Sequence, residues 1–461
     1  MRMVNILKDT IFYFLSKLLP SILTILNILI FIQFMDTNDY GKYSLLVITT
    51  GLINIFSTQW LRSSMLKFTV NYEQYNFYKK TQLYTIIFTS IITVIVSFIL
   101  HIDFIFLILI ILIQLSLSIN EFYNNYFRLL LKPSIILIGN IIKSGSILLI
   151  LVIIILFFKL TFVTAGIALW LSLNLSNIFY YFKVKNTNLP NISDSFDKKI
   201  LFKKSLEYGF PLSVAFTSGT ALVNLDKYLI TFFLGINENG NYSMPFDTIH
   251  NFIYIIMGAL GAASLPRLLK INDMNKLADR FYNYITYFYL INFPILILTL
   301  INSEYINIFF EKRGYNVNQL IIILITLSTF VHGTKSFIYD QAVQLISNTK
   351  YIYIPTVLGI VVTVVINTLF LEKYGIIVSA IGSLLSFTSC NLITYNILLK
   401  NTNLKFINRN ILLIIVINIL LLLMIFPILD DKFIIKIFVS VILVITTNVL
   451  IYLYIIRRSN I

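Results

Sequence analysis

The sequence predicts an all-α polytopic membrane protein with about 14 transmembrane helices. Its 461 residues are 58% hydrophobic and 12% charged, and the mean hydropathy is +0.87. A soluble domain carries about 25% charged residues. Apolar stretches long enough to cross a hydrocarbon layer of about 30 Å recur along the chain, separated by short polar breaks. This much apolar surface needs the lipid bilayer as its solvent and partner.

The apolar stretches give the positions of the helices. We expect helices at about 10–34, 43–66, 81–100, 104–126, 134–158, 161–182, 206–234, 241–265, 283–302, 318–346, 352–371, 376–399, 409–427 and 433–456. The least marked breaks are those at 98–106 and 371–376. The first of these depends only on His101 and Asp103, and the longest predicted outer loop is 303–317.

The basic residues predict how the helices are oriented. With an even number of spans and a cytoplasmic N-terminus, most of the 35 lysines and arginines fall in loops on the inner side. Such a bias marks the cytoplasmic face of a membrane protein. We therefore expect a multi-pass protein of the bacterial plasma (inner) membrane with both termini in the cytoplasm. The net charge of +15 follows mainly from this topology, so no nucleic-acid partner is expected.

A long basic loop and an internal repeat predict the domain organisation. Tyr40–Ser44 follows the first helix, and a similar segment, Asn239–Ser243, follows the seventh helix. Repeats separated by six helices should run parallel, related by an axis along the membrane normal. The predicted domains are an N-terminal lobe at 1–182, a basic cytoplasmic linker at 183–205, a second six-helix lobe at 206–400 and two additional helices at 401–461.

Four lysines lie deep in apolar stretches: Lys17, Lys143, Lys227 and Lys335. A charge inside a bilayer costs roughly 2.5–3.5 kcal/mol even on insertion scales, so it faces a water-filled cavity or a partner. We interpret the four as the lining of a cationic cavity for a polyvalent anion. The alternatives stay open that Lys17 extends to the inner interface, that Lys227 forms an interlobe salt bridge and that Lys335 pairs with Asp340.

The sequence argues against an enzyme. Cys390 is the single cysteine, which excludes a disulfide framework and a cysteine-based metal site. The sequence has no H-E-x-x-H motif and no glycine-rich phosphate loop. No cofactor and no metal are therefore expected, and a membrane glycan polymerase or acyltransferase is a remote alternative.

Several short motifs resemble those of a known family. They are Tyr40–Ser44, Glu207–Leu212, Leu225–Tyr228, Gly240–Ser243, Asn367–Leu371 and Lys373–Ile376. In order and spacing they are similar to Wzx-type polysaccharide flippases of the multidrug/oligosaccharidyl-lipid/polysaccharide exporter superfamily. The resemblance implies a bilobed transporter that moves polyprenyl-pyrophosphate-linked oligosaccharide repeat units to the outer leaflet by alternating access. It also implies a polysaccharide polymerase and glycosyltransferases as possible partners.

Two other members of the superfamily are the closest alternatives. A lipid II flippase would bind the same kind of lipid pyrophosphate, although we would expect arginines within its spans. A cation-coupled multidrug exporter would have an acid-rich cavity and typically twelve helices.

The remaining intramembrane and interfacial charges complete the candidate site. Candidate gate or entry residues are Arg62, Glu121, Arg128 and Arg267. Candidate ion- or proton-coupling residues are Asp226, Asp247, His250 and Asp340. Asp247 and His250 are three residues apart on one helix face, so they form either a proton relay or a static hydrogen-bonded pair. Arg62 and Arg267 lie at the ends of the second and eighth predicted helices. They are either positive-inside anchors or contacts for the entering pyrophosphate.

Overall fold

The computed structural model describes residues 19–185, 197–269, 271, 273–345, 350–401, 404, 406, 409–425 and 433–459, and within these it is helical, with no strand. The helices are α1 (Leu19–Phe34), α2 (Thr37–Phe68), α3 (Tyr72–Ile99), α4 (Phe104–Leu129), α5 (Pro133–Phe157), α6 (Phe162–Lys185), α7 (Lys198–Leu234), α8 (Ile236–Leu268), α9 (Met274–Ile301), α10 (Ser303–Glu311), α11 (Gln319–Thr334), α12 (Asp340–Leu345), α13 (Lys350–Tyr374), α14 (Ile377–Asn401), α15 (Arg409–Ile425) and α16 (Phe433–Ser459). A single π-helical turn, Lys335–Tyr339, joins α11 to α12.

The helices confirm the predicted fold class. Over the described residues, each of the predicted segments coincides with a helix, and α11, the π-helical turn and α12 together form one of them. Within this part of the chain, nine helices are long and apolar enough to cross a membrane by themselves, and shorter apolar helices lie near both ends. The protein is therefore a multi-pass membrane protein. One expectation was incomplete, because the loop predicted at 303–317 contains the short helix α10.

Local sequence signals explain where the helices begin and end. Asp36 and Asn71 are the N-caps of α2 and α3, and their side-chain oxygens each accept a backbone N–H at 2.9 Å. Such caps satisfy donors that the first turn of a helix leaves unpaired. The two least marked breaks are confirmed: His101 has a positive φ of 52°, and Gly375 ends α13 with a φ of 71°. Glycine adopts this left-handed conformation at little cost, which ends the helix there.

The chain divides into two compact units, residues 1–228 and 229–461. The division falls within α7, so that most of this helix belongs to the first unit. The domain boundaries predicted from the sequence rest on the internal repeat, which this division does not test. They stay a prediction.

A buried polar stripe on α4 holds the first unit together. Ser118 donates to the Asn54 side chain on α2 at 2.9 Å, and its carbonyl accepts from Gln82 on α3 at 2.7 Å. Two residues further along α4, Asn120 donates to Ser176 and Asn177 on α6, both at 3.0 Å. Lipid offers these groups no hydrogen bonds, so side chains of neighbouring helices must satisfy them.

Amide side chains have the same role in the second unit. Asn391 on α14 donates to the Val331 carbonyl and to the Thr334 hydroxyl on α11, both at 3.0 Å. Asn418 on α15 and Asn448 on α16 exchange two hydrogen bonds of 3.0 Å. The last two helices are therefore joined to each other by a buried amide pair.

The π-helical turn brings two charges together. The Asp340 N–H bonds to the Lys335 carbonyl, five residues back, as a π-helix requires. In an α-helix of 3.6 residues per turn these residues would lie on different faces. Here the Lys335 ammonium lies 2.8 Å from Asp340 Oδ2, and the two side chains are 6% and 14% exposed. The Tyr284 hydroxyl on α9 donates to the Phe337 carbonyl at 2.7 Å, which pairs a backbone acceptor within the turn.

The first prediction concerns the close approach of α2 and α7. A Cβ atom at Gly209 would lie 2.2 Å from the Trp60 carbonyl oxygen and 2.7 Å from Ser64 Oγ. We expect Gly209→Ala to destabilise the protein by about 1–3 kcal/mol through overpacking, measured as a lower melting temperature in detergent. Gly219→Ala is the matched control on the same helix, because no atom lies within 4 Å of its added Cβ. Equal melting temperatures for the two variants would contradict the close packing.

The second prediction concerns the buried ion pair. Removal of one partner of a buried pair leaves an uncompensated charge and costs about 3–5 kcal/mol. We expect Lys335→Met and Asp340→Asn each to lower the melting temperature by more than the double variant does. The exposed pair Lys203–Glu207, also within one helix, serves as the control and should show little coupling. Additive effects of Lys335→Met and Asp340→Asn would show that the pair does not form.

Candidate functional site

Two of the sequence motifs meet around Lys227 in the first unit. Lys227 on α7 is 1% exposed, and its ammonium donates to the Ser44 hydroxyl on α2 at 3.3 Å. The next residue, Tyr228, shares a 2.7 Å hydrogen bond with Thr49. The Asp226 carboxylate, also buried, accepts the backbone N–H of Lys227 at 2.9 Å. The motif Tyr40–Ser44 therefore supplies a polar contact for a lysine buried in the membrane.

A buried arginine lies near the end of α2. Arg62 is 2% exposed, and its Nη1 atom lies 3.6 Å from Glu121 Oε2 on α4. The Glu121 side chain is 34% exposed, so the acidic side of the pair is only partly enclosed by protein. The buried Nε atom of Arg62 has no hydrogen-bond partner among the described residues. Arg128 lies two turns beyond Glu121 on α4, is exposed and acts electrostatically on Arg62. Three of the four predicted gate residues therefore form one group, which we call the Arg62 cluster.

A second polar group lies in the second unit, around α8, α11 and the π-helical turn. It contains the Lys335–Asp340 pair, with Asp340 Oδ1 buried and unpaired within the described part of the chain. It also contains His250, whose Nε2 lies 3.1 Å from Nδ1 of His332. The spacing along α8 predicts Asp247 as the partner of His250, and no sequence pattern assigns a role to His332. The one sequence signal for His332 is its position three residues before Lys335. Its contact with His250 gives no such signal, because 82 residues separate the two histidines.

The other predicted site residues lie apart from these groups or outside the described residues. Lys17 lies outside the described residues. Lys143 on α5 is half-buried, and its ammonium has no hydrogen bond or ion pair among the described residues. Arg267 is exposed in the last turn of α8, and Asp247 is half-buried in the same helix. The lysines belong to different units, so the cavity predicted from them stays a prediction.

The side chains of these two polar groups form ion pairs and hydrogen bonds. Within the described residues, no group of three or more histidine, cysteine, aspartate or glutamate side chains could hold a metal ion. Cys390 is buried, and its thiol lies 3.0 Å from the Pro355 carbonyl oxygen. Arg62 Nε and Asp340 Oδ1 are buried atoms of the two ion pairs that have no hydrogen-bond partner among the described residues.

Comparisons with known proteins give the fold and the family. Residues 6–272 match the protein family described as polysaccharide biosynthesis protein. A "Putative O-antigen transporter" of Shigella flexneri is 24% identical over 181 residues, which are 39% of this chain and 43% of that protein. The matched part of this chain thus spans less than half the length of that relative.

Solved structures of low sequence identity share the fold. The lipid II flippase MurJ, in an inward closed conformation, has a TM-score of 0.74 at 15% identity, over 98% of this chain and 100% of that chain. An inward-facing multidrug resistance transporter of the MATE family has a TM-score of 0.57 at 14% identity, over 84% and 94% of the two chains. An outward-facing one has a TM-score of 0.53 at 16% identity, over 85% and 93%. The family match and the O-antigen transporter relative, together with these transporters and flippases, agree with the prediction that the chain is not an enzyme.

The family match covers more than half of the chain, and it agrees with the motifs at Tyr40–Ser44, Glu207–Leu212 and Leu225–Tyr228. The resemblance that the sequence indicates is thereby confirmed, and the chain belongs to the family of polysaccharide biosynthesis proteins within the transporter fold that MurJ and the MATE proteins share.

Proposed function

We propose that this protein flips polyprenyl-pyrophosphate-linked oligosaccharide repeat units from the inner to the outer leaflet of the bacterial plasma membrane. The flipped units would serve surface polysaccharide biosynthesis, with a polymerase and glycosyltransferases as partners. The proposed mechanism is alternating access, with both termini in the cytoplasm. The observation that carries the proposal is the buried guanidinium of Arg62, in a chain of the polysaccharide biosynthesis family.

Arg62 has the properties that a pyrophosphate site needs. Its guanidinium is removed from water, and its contact with Glu121 is long, at 3.6 Å. Arginine presents planar donors that match phosphate oxygens in pairs. A pyrophosphate could accept from the unpaired Nε and from Nη1 together, in place of Glu121. The half-exposed Glu121 would then turn to water, and Arg128 would add a second positive charge.

The intramembrane lysines are the proposed continuation of this anion path. Lys143 is half-buried without a described counter-ion, so an anionic headgroup would be a favourable partner for it. Lys227 has the Ser44 hydroxyl as a polar contact, which a phosphate oxygen could replace. Lysine suits this role because its ammonium is a flexible point charge. Lys17 and Lys335 remain proposed members of the path, with Arg267 as an entry residue.

Coupling to an ion is proposed for the acidic and imidazole groups. These are Asp226, Asp247, His250 and Asp340. Intramembrane carboxylates and imidazoles commonly form ion or proton pathways. The Asp340 carboxylate has one buried oxygen unpaired within the described residues, which leaves it a site for a proton or another cation.

A lipid II flippase is the second candidate, and the extent of the structural likeness to MurJ favours it. Both candidates would bind a lipid pyrophosphate, and the buried Arg62 within α2 meets the expectation of an arginine inside a span of a lipid II flippase. They differ in the sugar and peptide groups beyond the phosphates. The family match favours the polysaccharide repeat unit.

The third prediction tests the proposed phosphate site. We expect Arg62→Gln to slow the flipping of a fluorescent polyprenyl-pyrophosphate oligosaccharide in proteoliposomes by about 10-fold or more, because charged hydrogen bonds contribute about 1.5–3 kcal/mol. Arg62→Lys should retain part of the rate, since it keeps the charge. The measurement is the fraction of label that a membrane-impermeant reductant bleaches over time.

Two controls make this result specific. Lys203→Gln removes an exposed cation at the beginning of α7 and should leave the rate unchanged. Melting temperatures of all variants must agree within a few degrees, so that loss of folding is excluded. A wild-type rate for Arg62→Gln would remove Arg62 from the substrate path. Faster flipping of lipid II than of the oligosaccharide by the wild-type protein would favour the second candidate.

A further inference from the structure

His332 occupies a rigid and nearly water-free position in the second unit. It is 7% exposed on α11. Its imidazole ring stacks on Tyr254 of α8 and on Phe387 of α14, with ring centroids 4.8 Å and 4.6 Å away. The planes are tilted by only 8° and 27°. The faces of aromatic rings attract a cation, so this sandwich offsets part of the cost of burying a positive charge on the imidazole that it encloses.

Both nitrogens of His332 have polar neighbours. Nδ1 lies 3.1 Å from Nε2 of His250, and Nε2 lies 3.4 Å from Ser336 Oγ. One hydrogen lies between the two imidazoles, because one nitrogen must donate and the other accept. A proton that binds at one end of the row His250–His332–Ser336 can therefore leave at the other end, with each imidazole exchanging its tautomer. The row connects α8 to the π-helical turn.

The charged and titratable groups around the histidine pair set the response to a proton. Lys335 follows three residues after His332 and acts on it electrostatically. Asp340 pairs with Lys335 and has a second, unpaired oxygen among the described residues. The other titratable groups are Tyr254 and Asp247 on α8 and Cys390 on α14, which acts electrostatically with the Lys335–Asp340 pair. A proton on the imidazoles is repelled by Lys335 and attracted by Asp340.

We propose that the His250–His332 pair is a proton-binding site and that occupation of this site loosens the Lys335–Asp340 pair at the π-helical turn. The proposal rests on the proposed transport function, for which it names the coupling ion and the residues that carry it. π-helical turns are rare and occur frequently at functional sites, and here the turn brings the Lys335 ammonium within 2.8 Å of Asp340. The proton would therefore change the population of two arrangements of one helix.

The first test detects proton binding without any transport. The chain has three histidines, and His101 is an exposed internal reference between α3 and α4. We expect the ring ¹⁵N resonances of histidine-labelled protein to show His250 and His332 taking up one shared proton between pH 5 and 8. His332→Gln should abolish this uptake and leave His101 unchanged. Two imidazoles that stay neutral throughout this range in the wild-type protein would overturn the proposal.

The second test connects the proton to transport in proteoliposomes. A gradient of one pH unit supplies a factor of about 10 per coupled proton. We expect the wild-type steady-state distribution of the labelled lipid to shift by several-fold with this gradient. His332→Gln and His250→Gln should remove the shift, while His101→Gln, the exposed control, keeps it. If the wild-type protein flips the labelled lipid but the steady-state distribution of that lipid does not change with the pH gradient, the proposed coupling is overturned.

The two tests separate this proposal from the proposed function. If the wild-type protein flips no lipid pyrophosphate at all, the proposed function fails, and the resonances alone decide whether the imidazoles bind a proton. If it flips and the imidazoles stay neutral, the transport function stands and the proton site fails. Melting temperatures of the glutamine variants show whether each variant is folded.

Discussion

A charge inside a membrane protein needs a partner or a water-filled cavity, and this constraint organises the polar interior of both units. Arg62 has Glu121, Lys227 has Ser44, and Lys335 has Asp340. Each contact joins groups within one compact unit. Because lipid cannot solvate a charge or an unpaired peptide group, the helices that carry these residues are held at defined distances from their neighbours. The same requirement places the buried polar stripe of α4 against α2, α3 and α6.

Contacts of this kind are strong enough to stabilise the resting protein and weak enough to be replaced. The 3.6 Å contact of Arg62 with a part-exposed glutamate is long for a charged pair, and the Lys227 ammonium has the Ser44 hydroxyl among its contacts, at 3.3 Å. A pyrophosphate would form shorter, charged hydrogen bonds with either cation. The substrate would then gain its binding energy by exchanging partners, and the released glutamate remains satisfied by water. By contrast, the Lys335–Asp340 distance is 2.8 Å, so a substrate would gain binding energy from Lys335 only after this pair has loosened.

The positions of the helices could be predicted from the sequence because lipid imposes a minimum length of apolar chain. His101 and Gly375 identified even the weakest breaks. The short helix α10 was missed because nine amphipathic residues in a loop carry no such length signal. The π-helical turn was missed for a different reason, since Lys335 and Asp340 lie on different faces in a regular helix. His332 could not be paired with His250, because a contact between residues far apart in sequence depends on how α8 and α11 pack.

The shared fold and the separate chemistries together explain how one architecture can serve lipid flippases and drug exporters. The solved relatives share the helical frame at 14–16% identity, so the frame itself does not select a substrate. In this chain the first unit contains the buried arginine and its acidic partner, whereas the second contains the imidazoles, the aromatic sandwich and the π-helical turn. Anion binding and proton binding would thus occur in different units. Coupling by alternating access requires only that each ion favour the same rearrangement, because coupling between two sites is a difference in binding free energy between states. A change at the π-helical turn satisfies this requirement if the loosened Lys335–Asp340 pair is compatible with only one of the two arrangements.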